Sequence, residues 1–327
     1  MAFRGGKMVQ RIDYDEFGLF HENAEEYGLP YSGPPQVRRE FVEVAPGRRL
    51  SALVWGAAPP ALVLLHGGSQ NAHTWDTVAM ALERPLVAID LPGHGHSDPP
   101  SERGRRMLDP ELFARDVAVA IEALAPDAAG VVGMSLGGLT TIALTNVAPH
   151  LVRKVVLVDI TPGVTPEKSK QIADFINGPP TFASFEELLE RTVAFNPTRS
   201  VSSLRRGILH NAVQREDGTW VWRWARWREP TGGEPAGSQS TRNEQLEDRK
   251  GDQPMYGQLW DLVSRIQVPV MLARGMLPQS VVGDDDEAEL LRRLPSATVS
   301  RFDNAGHSIQ GDMPVELARA IEHFVFS

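Results

Sequence analysis

A serine flanked by glycines stands at residues 133–137, in the order G-x-S-x-G. A serine hydroxyl is a weak nucleophile near neutral pH, and it attacks a carbonyl only when a nearby base takes its proton. Glycines two positions away on either side permit a sharp strand-to-helix turn, in which the serine adopts a strained backbone conformation. The pattern therefore indicates Ser135 as a candidate nucleophile for acyl transfer, and a plain glycine–serine turn is the alternative.

Histidine is the natural base for such a serine, and a carboxylate holds the histidine in the correct tautomer. The chain has nine histidines. His307 lies between the predicted last strand, residues 298–302, and the predicted last helix, residues 315–324. We expect this loop to lie at the same edge of the sheet as Ser135, which makes His307 the candidate base.

A second glycine-rich segment, residues 66–69, follows the apolar run 61–65. It places backbone amides at the carboxyl end of a predicted parallel strand, where α/β sheets bind their ligands. We interpret the segment as a loop that donates hydrogen bonds to an oxyanion, with a plain Gly-Gly turn as the alternative. Ser69 and Met134, which adjoin the two glycine-rich motifs, are candidate substrate contacts.

The segment 90–98 contains His-x-His-x-Asp, formed by His94, His96 and Asp98. This run resembles the metal-binding motif of metallo-β-lactamase-like hydrolases. That motif needs a further histidine directly after the aspartate and others downstream, whereas Pro99 stands here. Because too few ligands are present for a zinc site, we predict a loop between a strand and a helix, and no metal.

Short apolar runs alternate with helical segments through most of the chain. Continuous apolar runs are typical of strands buried on both faces of a parallel sheet. They stand at residues 61–65, 86–89, 130–132, 154–158, 268–273 and 298–302. Alternating residues around a turn predict a β-hairpin over 40–55. We therefore expect an α/β core over 37–160 and 264–327, preceded by an arm, residues 1–36, with a short helix at 20–27.

Between residues 161 and 263 the rhythm of strands stops, and the sequence predicts helical segments instead. We predict that 161–263 is a cap inserted into the core. Residues 229–254 within it are polar and poor in apolar anchors, which predicts a mobile loop.

Four of the seven tryptophans lie close together in the predicted cap. Trp220, Trp222 and Trp224 alternate along the sequence, so a strand would place them on one face. They either form a wall for an apolar or aromatic substrate or pack the cap against the core, and we favour packing slightly.

Composition and charge narrow the classes of partner. Of 327 residues, 33 are basic and 42 are acidic, which gives a net charge of −9. This acidity argues against nucleic acid and anionic membranes and favours a small-molecule substrate. The absence of cysteine excludes disulfides and thiolate catalysis. No apolar run has the length of a signal-peptide core or a membrane span, so we expect a cytoplasmic protein. The oligomeric state is left open.

Taken in order, the segments 66–68, 90–98, 133–138 and 306–307 resemble the motifs of the α/β-hydrolase superfamily. The resemblance implies an eight-stranded, mostly parallel sheet, a cap after the sixth strand, and an active site between core and cap. It assigns Ser135 as nucleophile, His307 as base, and the N–H groups of Gly68 and Leu136 as the oxyanion hole. Because the nucleophile is serine, it points away from haloalkane dehalogenases and epoxide hydrolases, which use aspartate.

The third member of the triad has two candidate positions. The commonest family pattern places an aspartate soon after the seventh strand, but residues 275–281 hold no carboxylate. Some members carry the acid at the end of the sixth strand, where Asp159 stands. We favour Asp159, since the triad needs a buried acid behind the histidine. Asp284, Asp285 and Asp286 stay as the alternative, although we expect them to be solvated charges at the start of a helix.

The predicted activity is that of a cofactor-independent serine hydrolase. It would cleave a small apolar or aromatic ester, thioester or lactone through an acyl-enzyme. The nearest alternative is a carbon–carbon bond hydrolase of the meta-cleavage-product type, because residues 66–68 also resemble the oxyanion loop of those enzymes. An acyltransferase and a non-catalytic ligand-binding receptor on the same fold are further alternatives, since a fold does not determine a function.

Overall fold

The computed structural model describes residues 11–100, 109–224 and 255–327. Its main sheet has eight strands in the spatial order β1-β2-β4-β3-β5-β6-β10-β11. These strands are β1 (Val37–Ala45), β2 (Arg48–Trp55), β3 (Leu62–Leu65), β4 (Leu86–Ile89), β5 (Gly130–Met134), β6 (Val155–Val158), β10 (Val270–Gly275) and β11 (Thr298–Phe302). The predicted eight-stranded sheet of the α/β-hydrolase fold is confirmed.

The direction of the strands decides where the functional residues gather. The predicted hairpin pairs β1 with β2, and β2 runs antiparallel to β4. From β4 onward the neighbouring strands are parallel. The carboxyl ends of β3, β5, β6, β10 and β11 therefore meet at one edge of the sheet, where a ligand site is expected.

Eleven helices are described, and those outside the cap cover both faces of the sheet. They are α1 (Phe20–Tyr27), α2 (Asp76–Leu82), α3 (Pro110–Leu124), α4 (Leu136–Val147), α5 (Lys170–Ile176), α6 (Phe185–Phe195), α7 (Val201–Asn211), α8 (Trp260–Val263), α9 (Asp284–Arg293), α10 (Ile309–Asp312) and α11 (Pro314–Phe326). Phe113 of α3 and Ile142 of α4 are buried in one hydrophobic cluster, while Phe20 of α1 and Ile321 of α11 are buried in the other. With both faces of the sheet covered, its carboxyl edge is left for a site.

A second, three-stranded antiparallel sheet lies in the segment predicted as the cap. Its strands are β7 (Thr181–Phe182), β8 (Ala212–Gln214) and β9 (Trp220–Trp222), in the order β7-β9-β8. Together with α6 and α7 they surround a separate hydrophobic cluster. The boundaries at 161 and 263 stay a prediction, and the predicted loop 229–254 lies outside the described residues.

The N-terminal arm joins the core to this second cluster. Its predicted helix forms at the expected residues, Phe20–Tyr27, and ends at Gly28, whose left-handed φ of 62° suits glycine. Tyr14 of the arm packs against the hydrophobic cluster of the cap segment, while Phe20 is buried against the core. Among the described helices, none combines the length and the apolar character that a transmembrane helix needs.

Candidate active site

Ser135 lies in the sharp turn between β5 and α4, with φ 51° and ψ −117°. A positive φ is uncommon for a residue other than glycine and marks a strained turn. The flanking positions must be glycine because neighbouring backbone atoms approach them too closely to leave room for a side chain. A Cβ on Gly133 would lie 2.4 Å from the Gly137 carbonyl oxygen, and one on Gly137 would lie 2.3 Å from the Leu65 carbonyl oxygen. The G-x-S-x-G pattern therefore corresponds to the turn that the sequence predicted.

His307 lies in the loop between β11 and α10, and its Nδ1 is 2.9 Å from Oδ2 of Asp159. Because a carboxylate only accepts hydrogen bonds, Nδ1 carries a proton, and in the neutral ring Nε2 presents a lone pair. His307 and Ser135 line the same cavity. A histidine in this state can take a proton through Nε2, as the base of a serine nucleophile does.

Asp159 directly follows β6, has a φ of 47°, and is fully buried. Its Oδ1 accepts hydrogen bonds from the Gly275 N–H at 2.9 Å and from the Ser280 hydroxyl at 2.6 Å. Its Oδ2 accepts from the Val281 N–H at 3.0 Å, in addition to His307. A buried carboxylate is tolerated only when it is paired, and these four donors hold it in place behind the histidine.

The alternative acids stand elsewhere, at the start of α9. The Asp284 side chain is 94% exposed and pairs with Arg274. Asp285 is exposed, and Asp286 accepts the Gly283 N–H and pairs with Lys168. All three occupy the first turn of the helix, as expected, but Asp286 is buried rather than solvated, because Lys168 and the Gly283 N–H satisfy its carboxylate. Among the described residues, Asp159 is the carboxylate that the structure brings to His307 Nδ1.

The loop after β3 lies directly against the candidate nucleophile. A Cβ on Gly67 would lie 2.4 Å from Met134 Sδ and 3.2 Å from Ser135 Cβ. The Gly67 N–H donates to Gln70 Oε1 at 3.1 Å, which braces the loop. Gly68 lines the cavity beside Leu136, the first residue of α4. N–H groups in the first turn of a helix have no acceptor within the helix and favour negative charge.

A neutral histidine holds this loop in position. His66 is fully buried, its Nε2 accepts the Leu91 N–H at 2.9 Å, and its Nδ1 lies 2.7 Å from the Gly67 carbonyl oxygen. Burial lowers the pKa of His66. The neutral ring can then donate from Nδ1 and accept at Nε2, which joins the loops that follow β3 and β4.

The His-x-His-x-Asp run takes part in the structure of its own loop. Asp98 Oδ2 accepts the Arg49 N–H at 2.8 Å, and His94 Nδ1 lies 3.0 Å from the Pro92 carbonyl oxygen. Gly95 has a φ of 52°, and a Cβ there would lie 2.3 Å from the Asp90 carboxylate. The segment thus forms the predicted connection after a strand.

The candidate residues open into a cavity of about 1280 Å³ between the core and the second sheet. Ser69 and Met134, both candidate substrate contacts, line it. So do Trp222 and Trp224, whose rings stack with centroids 6.4 Å apart. Trp220 lies outside the lining and packs edge-on against Phe185 in the second cluster. All three tryptophans belong to that cluster, so packing and lining are combined in Trp222 and Trp224.

The wall of the cavity also holds polar residues that no sequence motif indicated. The imidazoles of His73 and His210 stack with centroids 3.9 Å apart. Burial by itself lowers the pKa of His73, but hydrogen bonds and charge from Asp76 and Glu16 outweigh it and raise this pKa to about 9. Burial and the neighbouring His73 charge lower the pKa of His210 well below its usual value. These opposite shifts favour a protonated His73 stacked on a neutral His210.

Comparison with known proteins agrees with this geometry. The model of the alpha/beta hydrolase family matches residues 62–320. Esterase Rv0045c of Mycobacterium tuberculosis is 41% identical over 318 residues, which cover 94% of this chain and 95% of that protein. A solved structure of that esterase has a TM-score of 0.77 and 38% identity, covering 97% of this chain and all of the other.

A more distant relative is the bovine protein phosphatase methylesterase 1. It is 30% identical over 171 residues, which cover 49% of this chain and 44% of that protein. The matched family residues extend from β3 into the last helix, and they include every candidate triad and oxyanion residue. On its sequence, its sheet topology and these comparisons, the chain belongs to the alpha/beta hydrolase family of enzymes.

Proposed function

We propose that this hydrolase cleaves carboxylic esters through an acyl-enzyme formed on Ser135. The observation that carries the proposal is the convergence of three elements at the carboxyl edge of the sheet. Strained Ser135 lines the cavity, His307 lines it as well, and buried Asp159 holds Nδ1 of that histidine at 2.9 Å. The esterase name of the relative that matches nearly the whole chain supports the same reaction class.

In the acylation half, His307 Nε2 takes the proton of the Ser135 hydroxyl while Oγ attacks the substrate carbonyl carbon. The carbonyl oxygen becomes an oxyanion, which accepts hydrogen bonds from the N–H groups of Gly68 and Leu136. Asp159 stabilises the positive imidazolium. His307 then gives its proton to the leaving oxygen, the ester C–O bond breaks, and the alcohol departs.

In the deacylation half, His307 takes a proton from water as the water oxygen attacks the acyl carbon. The same two N–H groups hold the second oxyanion. When the acyl–Oγ bond breaks, His307 returns the proton to Ser135, and the carboxylic acid leaves. The cycle uses one water molecule and restores the enzyme, so no cofactor is needed in this mechanism.

The cavity supports a small apolar or aromatic ester, thioester or lactone as substrate. Trp222, Trp224 and Phe175 contribute apolar surface to its wall, and Met134 and Ser69 line the same cavity. A volume of about 1280 Å³ leaves room for a substrate with a substantial acyl chain or ring.

The proposal is tested with 4-nitrophenyl esters of increasing acyl length and with a fluorophosphonate probe. Ser135→Ala should lower kcat by about 10³-fold or more and abolish labelling. The matched control is Ser264→Ala, which should keep both the wild-type kcat and the labelling. Ser264 lies at the end of α8, where its hydroxyl donates to the Trp260 carbonyl. Full activity in Ser135→Ala would overturn the nucleophile assignment. Labelling at Ser135 without turnover of any ester would overturn the substrate class and favour carbon–carbon bond cleavage.

A further inference from the structure

Arg199, in the connection between α6 and α7, lines the cavity that holds Ser135 and His307. Its Nε atom is buried and has no hydrogen-bond partner. One terminal nitrogen donates to the Ser203 hydroxyl at 2.6 Å. The guanidinium packs against the backbone of α10, where a Cβ on Gly311 would lie 2.8 Å from its Cζ. The other terminal nitrogen donates no hydrogen bond within the described residues and is not fully buried, so it is the donor available to a ligand in the cavity.

The charge of Arg199 is also without an ion pair. Within the described part of the chain, no carboxylate oxygen lies within 4.0 Å of its nitrogens. The next arginines differ: Arg206 pairs with Glu22 and Glu26, and Arg205 pairs with Glu22. Arg199 is half-buried, and a cation drawn partly out of water without an ion-pair partner is normally paired in proteins because its desolvation is costly.

The surroundings of Arg199 agree with an unmet need for negative charge. Burial lowers the pKa of Arg199. The neighbouring Asp312 already accepts the Gly306 N–H at 2.9 Å and the Thr198 hydroxyl at 3.3 Å. The charges of Asp312 and Glu26 act on Arg199 from a distance, but neither carboxylate forms an ion pair with it.

We infer that Arg199 binds a carboxylate of the substrate, so that the natural substrate is an ester that carries a second, anionic end. The inference rests on the proposed ester hydrolysis and names its substrate class. Guanidinium and carboxylate match in shape and form charge-assisted, often bidentate hydrogen bonds. The lining of the cavity combines apolar surface, at Trp222 and Trp224, with this cation. A monoester of a dicarboxylic acid has both features.

The test compares 4-nitrophenyl monoesters of glutaric, adipic and pimelic acid with the neutral pentanoate, hexanoate and heptanoate of equal chain length. The wild type should prefer the charged ester at one or more lengths. Arg199→Met should reduce kcat/KM for that ester about 10- to 100-fold more than for its neutral partner, as expected for a hydrogen-bonded charge pair. Arg199→Lys should keep part of the preference. Arg205→Met, in the adjoining helix α7 but outside the cavity lining, should keep the whole preference for the charged ester.

A structural role for Arg199 predicts a different result. If the arginine only supported the fold, Arg199→Met would lower the Tm and reduce turnover of charged and neutral esters alike. Our inference predicts a loss of kcat/KM confined to the charged esters, with neutral esters turned over at the wild-type rate, even where losing the Ser203 hydrogen bond lowers the Tm slightly.

Calorimetric binding of monomethyl adipate to Ser135→Ala tests Arg199 independently of turnover. Binding that is lost in Ser135→Ala/Arg199→Met supports the inference. Equal binding by both variants, together with no preference of the wild type for a charged ester, overturns it. Serine-dependent hydrolysis of neutral esters would then leave the proposed function standing. Arg199-dependent binding without any ester turnover would overturn ester hydrolysis and keep the carboxylate site.

Discussion

Replacing Asp159 by asparagine keeps the volume of the side chain and removes the charge that faces His307. In the wild type, Oδ1 accepts from Gly275 and Ser280, and Oδ2 accepts from Val281 and His307. All four partners donate to the carboxylate. An amide NH2 group in either oxygen position therefore faces at least one donor with which it cannot pair.

Both orientations of the asparagine impair the proposed chemistry. With nitrogen at the Oδ2 position, the amide donates to His307 Nδ1, and the histidine proton moves to Nε2, which can no longer take the proton of Ser135. With nitrogen at the Oδ1 position, the tautomer survives, but the imidazolium loses its counter-charge. We expect kcat/KM to fall by about 10³- to 10⁴-fold, or about 4 to 5.5 kcal/mol of transition-state stabilisation.

The effect on folding should be smaller than the effect on rate. One buried donor without a partner costs about 1 to 3 kcal/mol. In a chain of this size that lowers the Tm by about 2 °C for each kcal/mol. Asp159→Asn should therefore be isolated as a folded protein at ordinary temperature.

The assay is hydrolysis of a 4-nitrophenyl ester, after thermal melting has shown that each variant is folded. Asp284→Asn is the matched control, since its side chain is 94% exposed and pairs with Arg274; it should stay near the wild-type rate. Ser280→Ala keeps the charge of Asp159 and removes one donor, so its rate should fall by no more than about tenfold. An Asp159→Asn enzyme within tenfold of the wild type, or an equal loss in Asp284→Asn, would refute the assignment of the acid.

Two further predictions concern the turn at the nucleophile and the cavity wall. Gly137→Ala should lower stability by about 1 to 3 kcal/mol or more and impair activity, because the new Cβ would lie 2.3 Å from the Leu65 carbonyl oxygen. Gly207→Ala on α7, where a Cβ meets nothing within 4 Å, should be stabilising by about 0.5 to 1 kcal/mol; equal Tm values for the two variants would contradict the packing argument. Protonated His73 is stabilised in the folded state, with its pKa raised to about 9. Its contribution, on the order of 3 kcal/mol, should be complete below pH 6.5 and be lost as the pH rises through 9. Urea unfolding of the wild type and of His73→Gln across this pH range measures the contribution. Parallel pH profiles of the unfolding free energy in the two proteins would show that His73 does not cause the pH dependence.

Much of the fold could be predicted because its signals are local. The apolar run at residues 86–89 forms a fully buried strand at those residues, and the strand predicted at 298–302 also forms there, although Thr298 and Arg301 of this edge strand are exposed. Strands buried on both faces of a sheet must be apolar throughout, and a strand-to-helix turn as tight as the one at Ser135 must have glycine beside it. Since carboxyl ends of parallel strands share one edge, the sequence also predicted that Ser135 and His307 would lie at the same edge. Their catalytic roles stay predictions until the variants are measured.

Other features were decided by tertiary packing alone. The sequence left the acid open between Asp159 and the Asp284–Asp286 cluster, and the structure places Asp159 against His307. The sequence also did not distinguish Trp220 from Trp222 and Trp224. Trp220 packs inside the second cluster, whereas Trp222 and Trp224 also reach the cavity.

Arg199 and the stacked pair His73 and His210 carried no sequence signal. Each of these residues stands among ordinary neighbours in the sequence, and its partners come from distant segments. Hydrophobic periodicity shows which face of an element is buried. Which polar groups then meet within hydrogen-bond distance depends on how separate elements pack, and only the folded chain determines that.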